Sequence, residues 1–128
     1  MELTEEQKRT IWEKGIVDDR YPSERVRKDA CGAFIRYGDF GNRDSIFGWE
    51  VDHIYPACKL KRGDDVDNLA NLRPFHWKNN ASKGANYPYY TASMVADDDN
   101  ATNVEVSVGK VVNQQKQEEL RALFNLDV

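Results

Sequence analysis

Cysteine is nearly absent: the chain has two, Cys31 and Cys58, and no CxxC pair. That excludes a disulfide framework and a zinc ribbon built from two such pairs. Cys31, just before Gly32, reads as a small buried apolar residue, and Cys58, in a polar loop, is assigned no role. Long apolar runs are missing as well, which excludes a membrane-spanning helix. The opening MELTEEQKRT lacks the basic-then-apolar layout of a signal peptide, so the protein is expected to stay in the cytoplasm, with no membrane among its partners. An excess of positive charge is also lacking. Eighteen Lys and Arg stand against 22 Asp and Glu, a net charge of −4, so tight stand-alone binding to nucleic acid is not expected. The acidic stretch ADDDNAT has no calcium-loop spacing and reads as a solvated connector.

What is present suffices for one globular domain, residues 1–128, with 40% hydrophobic and 11% aromatic residues. The negative charge lies at the ends. Residues 1–19 hold three basic and six acidic groups, and residues 85–128 hold three and seven. Residues 20–84 hold twelve basic against nine acidic, so the middle of the chain can attract phosphate weakly.

Thr4 followed by Gln7 is a capping-box signal, and Gly15 is a stop; together they predict a helix over Glu5–Lys14 docked through Ile11 and Trp12. Ala33–Tyr37 and Ile46–Ile54 read as an antiparallel hairpin joined by a turn rich in Gly, Asn and Asp. Arg25, Arg27, Lys28, Arg36 and Arg43 flank it, as a solvated face or a phosphate-contacting one. Towards the end, Tyr87, Tyr89 and Tyr90 are expected to pack a loop on the core. Val104, Val106 and Val108 alternate as in a half-buried strand. Asn113 is placed to cap a last helix bearing Leu120, Leu123 and Phe124. This C-terminal strand-helix extension, residues 86–128, either completes the core or offers an edge to a protein partner.

The stretch on which the rest converges is residues 48–84, GWEVDHIYPACKLKRGDDVDNLANLRPFHWKNNASKG. Trp49–Ile54 has the aromatic and β-branched content of a strand, with Asp52 and His53 side by side. Pro56 ends it, a polar loop follows, and Leu69–Phe75 forms a second apolar run. Beyond Pro74 the pattern turns helical, with Asn80 three residues before Lys83.

These residues resemble the HNH family of endonucleases, also called His-Me finger or ββα-metal nucleases. The family's Asp-His or His-His pair is Asp52-His53 in WEVDHIYP, its Asn ahead of Leu is Asn71 in NLRPFHW, and its helical His or Asn three before a Lys is Asn80 in NNASK. The resemblance covers Trp12 to Gly84. It implies an α+β fold with a ββα-metal core, an N-terminal helix and hairpin, and activity as a metal-dependent endonuclease on DNA, with RNA not excluded. It also implies a role for Asn71 in bridging backbone groups across the loop to hold the His-bearing strand, and products with 5′-phosphate and 3′-hydroxyl ends.

The residue types suit that chemistry. An imidazole, with a reference pKa of about 6.5, is a competent general base at neutral pH, and His53 fits that part. Asp52 and Asn80 offer one carboxylate and one amide oxygen, a poor set for zinc but suited to Mg²⁺, or Mn²⁺, in a single-metal site. His76, four before Asn80, is either structural or an added ligand or substrate contact. Glu50 is a supporting acid or a solvated one. Lys83 either reaches a phosphate or caps the helix end. Adjacent strand residues point to opposite faces, so Asp52 and His53 can address one centre only where the strand ends or twists. The rival expectation is a module of this fold that binds nucleic acid or protein and acts only within a partner complex.

Overall fold

The computed structural model describes residues 2–126, an α+β arrangement of three helices and three two-stranded antiparallel sheets. Helix α1 (Glu5–Trp12) starts as its sequence dictates. The Thr4 hydroxyl accepts from Gln7 N, and the Gln7 amide oxygen accepts from Thr4 N, closing a capping box. Its apolar side is narrow, yet Ile11 and Trp12 are both fully buried.

Strand β1 (Val26–Lys28) pairs with β2 (Phe34–Arg36), which differs from the expected hairpin of residues 33–37 with 46–54. Among the described residues a single backbone bond, Arg36 N to Phe47 O, joins that pair of segments, beside one from the Trp49 indole to Tyr37 O. The segment after β2 instead curls into a loop, closed by Ser45 donating to Asp39. At its end the chain passes so near itself that a side chain at Gly48 would meet Asn42 O at 1.9 Å. Glycine is the residue that permits this turn.

Strand β3 (Trp49–His53) pairs with β4 (Leu72–His76), in a register that sets Asp52 opposite Arg73 and His53 opposite Leu72. The second strand runs through Pro74 rather than turning helical after it. In a two-stranded sheet each strand has an outer edge, where a residue without an N–H is tolerated. Helix α2 (Trp77–Lys83) follows at once, with the His76 imidazole accepting from Lys78 N as its cap. Strands β5 (Tyr89–Asp97) and β6 (Thr102–Val111) form a hairpin, and α3 (Gln114–Leu123) is capped by Asn113.

Two apolar clusters support the central β3–β4–α2 unit. One joins Ile11, Trp12, Ile35, Trp49 and Leu72; the other joins Ile54 and Phe75 to Tyr90, Ala92, Val112, Leu120 and Phe124. Trp12 and Trp49 meet at 5.2 Å between ring centroids, a contact of the kind that dominates small cores. The C-terminal extension therefore completes the core. Its valines do otherwise than expected: Val104 and Val108 are exposed, and Asn103 turns inward to bond Phe34 and Ile46. Tyr87 and Tyr90 pack inward, whereas Tyr89 is exposed. Among the described residues no helix is long and apolar enough to cross a membrane.

Candidate active site

A cleft of about 250 Å³ opens where β3 ends against α2, and Asp52, His53, Pro56, Cys58, Asn80 and Gly84 are among its walls. Strand β3 stops at His53, which relaxes the alternation that would otherwise send neighbouring side chains to opposite faces. Ile54 N then bonds Asn71 O, and the chain turns into Pro56.

Asn71 is fully buried and fixes that turn. Its amide oxygen accepts from Tyr55 N at 2.8 Å, and its NH₂ donates to Tyr55 O and Val66 O at 3.1 and 3.2 Å. One amide thus satisfies three backbone groups of the loop that carries His53. The His53 ring lies 2.8 Å, through Nε2, from Oδ1 of Asp67. A carboxylate there favours the tautomer with its proton on Nε2, which leaves the Nδ1 lone pair as the basic site. Nothing in the sequence pattern singles out Asp67, one acid among several in a polar loop.

Asp52, deeper in the cleft, is 2% exposed. Arg73 Nε donates to its Oδ2 at 2.8 Å, and Lys83 Nζ stands 3.2 Å from its Oδ1. Lys83 also donates to His53 O at 3.2 Å and is fully buried, so it does not face solvent, where a phosphate would lie. Burial pushes its ammonium pKa down, and Asp52 pushes back up. The Arg73 guanidinium lies over the rings of Phe75, at 4.3 Å, and Tyr90, at 5.5 Å.

Asn80 donates from Nδ2 to Glu50 at 3.0 Å, and among the described residues its Oδ1 accepts no hydrogen bond. Glu50 is further held by Arg43 through two bonds, of 2.6 and 3.0 Å. Burial raises its pKa, but these bonds outweigh burial and leave the carboxyl below its ordinary range. Its neighbour Asn79 faces inward, bonding Asp29 and the backbone of Ser93 and Met94. This assigns the cleft to position 80 and the core to position 79. Among the described residues no group of three or more His, Cys, Asp or Glu side chains could hold a metal ion; the donor set at the cleft is one carboxylate and one amide.

His76 lies outside the cleft, fully buried, with Nε2 2.7 Å from Ile46 O and Nδ1 on Lys78 N. Both ring nitrogens are thereby committed to the backbone. Burial holds its pKa below the ordinary histidine value. A depressed folded pKa gives stability that is present above the unfolded value of about 6.5 and lost as pH falls through the folded one. Urea midpoints measured below about pH 6.5 are therefore expected to fall with pH. His76→Asn, which keeps a capping oxygen, should flatten that slope; an unchanged slope would remove His76 as its source.

No family model, curated protein or solved structure matches this chain.

Proposed function

We propose that the chain is a metal-dependent endonuclease of the HNH, ββα-metal type that hydrolyses phosphodiester bonds in DNA. The observation that carries this reading is the meeting of Asp52, His53 and Asn80 at one cleft, with Asn71 pinning the turn between them. The same residue types at unconnected places would support nothing.

The donor set fits a hard divalent cation. Asn80 presents an amide oxygen that accepts no hydrogen bond among the described residues, and each oxygen of Asp52 keeps a lone pair beyond the one its cation uses. Mg²⁺, or Mn²⁺, held by Asp52 and Asn80 would supply charge neutralisation at phosphorus and at the departing 3′ oxygen. The chain's own residues do the rest. His53 takes a proton from the attacking water at Nδ1 as its oxygen bonds to phosphorus, and the bond to the 3′ oxygen breaks. Asp67 holds the ring in the basic tautomer, and Asn71 keeps the ring's backbone in place.

Plasmid incubated with Mg²⁺ should be nicked or cut, and His53→Ala should slow this by at least about a hundredfold. Asp67→Asn should cost about tenfold, less than a buried orienting acid would, because the pair is half open to solvent. Cleavage untouched by His53→Ala would refute the assigned base. The rival reading, a non-catalytic binding module, draws support from one observation: both oxygens of Asp52 are already engaged by cations.

A further inference from the structure

The cations around Asp52 bear on the order in which the cleft fills. Glu50 is balanced by Arg43, but the single carboxylate of Asp52 stands against two cations, Arg73 and Lys83, so at that carboxylate the balance is one positive charge. The surplus lies deepest, where the side chains of Asp52, Lys83 and Arg73 are 3%, 0% and 13% exposed and one carboxylate faces two cations. Arg73 Nη2 is buried and donates to no group among the described residues, so Asp52 does not use the guanidinium fully. Burial keeps this excess from being screened as a surface charge would be.

From this we propose that the cleft takes the phosphodiester first and binds its divalent cation only once the phosphodiester is present. The inference rests on the nuclease reading and adds the assembly order. A free divalent cation approaching Asp52 meets Lys83 and Arg73 across the same carboxylate and is repelled. A phosphodiester brings the one negative charge that the site lacks, and its oxygens add ligands to the two the protein offers. Coupling of this kind is reciprocal, so the cation must tighten nucleic-acid binding by the factor by which nucleic acid tightens the cation. Arg73 and Lys83 then serve as positioning residues: they fix the carboxylate and set the charge that the substrate must balance.

The test uses full-length protein carrying His53→Ala, so that substrate survives. Mn²⁺ is titrated in and followed by loss of the free-ion electron paramagnetic resonance signal, with and without a DNA oligonucleotide. Binding at the cleft is identified by its disappearance in an added Asn80→Ala. Mn²⁺ is expected to bind at least about tenfold more tightly with the oligonucleotide than without it, and the oligonucleotide is expected to bind in EDTA. Arg73→Met should raise Mn²⁺ affinity for the free protein and weaken oligonucleotide binding in EDTA, whereas Arg73→Lys should keep the coupling. The comparison in the Arg73 protein stands even if Arg73→Met fails to fold. Equal Mn²⁺ affinity in free and bound protein overturns the proposed order, while plasmid cleavage would leave the nuclease reading standing. No oligonucleotide binding, no Mn²⁺ binding and no cleavage would overturn both.

Discussion

Asp52→Asn is expected to destabilise the fold by about 3–5 kcal/mol, the cost of breaking a buried ion pair from one side. The substitution leaves size and shape almost unchanged, so the loss is electrostatic. Lys83 is fully buried, and Arg73 is nearly so. Without the carboxylate, Lys83 keeps, among the described residues, His53 O as its one partner, and two like charges face each other across a neutral amide that can offer its oxygen to just one of them. Against a total stability of 5–15 kcal/mol, typical of domains in general, this is a large fraction. Lys83→Met should cost less, because Asp52 then retains Arg73 as a single counter-ion. Urea unfolding of the three proteins at neutral pH decides the matter. A midpoint for Asp52→Asn within about 1 kcal/mol of the parent would mean that Asp52 does not hold these cations. The result also governs how cleavage assays are read, since lost activity in Asp52→Asn indicates a lost ligand only at temperatures where the variant is folded.

The elements that local rules specify were legible in the sequence. Thr4 and Gln7 announced α1, the aromatic and β-branched content of Trp49–Ile54 announced β3, and Asn113 announced α3, because caps and local composition depend on near neighbours. Asn71 and Asn80 were found through their spacing to Leu72 and Lys83, and the fold sets Asn80 at the cleft and Asn71 on the Tyr55 backbone. What failed depended on register and on partners distant in the chain. The segment after β2 had the composition of a returning strand, but β2 pairs with β1, and the chain instead loops back on itself with a close approach at Gly48. Arg73 belongs to no motif in the sequence, and only the β3–β4 register sets it against Asp52. Lys83 was weighed as a surface group, yet it is the most deeply buried cation of the site, since nothing in the sequence marks a lysine whose counter-ion lies 31 residues earlier. Asp67 and Asp29 were invisible for the same reason.

Replacing Asp29, which no motif marked, is expected to cost as much as replacing Asp52. Asp29 sits in the turn between β1 and β2, fully buried. Its Oδ1 accepts from Cys31 N and Ala33 N, at 3.0 and 2.9 Å, and shapes the turn itself. Its Oδ2 accepts from His76 N and Asn79 Nδ2, at 2.9 and 3.0 Å, and so ties the turn to the junction of β4 with α2. Burial pushes the carboxyl pKa up, and the bonds from Asn79, His76 and Ala33 push it down. Asp29→Ala leaves four buried donors without their acceptor. Each orphaned donor costs about 1–3 kcal/mol where water cannot reach it, and even with partial relaxation the total should exceed about 4 kcal/mol. Asp29→Asn restores one acceptor oxygen but turns an NH₂ towards donors, so it should recover only part of the loss. Near-parental urea midpoints for both variants would show that this carboxylate is not the hub its geometry makes it. A second effect follows from position. Asn79 is the residue before Asn80, and slackening its tie to Asp29 frees α2 to shift against β3. On the nuclease reading, cleavage by Asp29→Asn, assayed where the variant is fully folded, should therefore still fall below the parent, because the amide oxygen of Asn80 would no longer be held at a fixed place in the cleft it shares with Asp52.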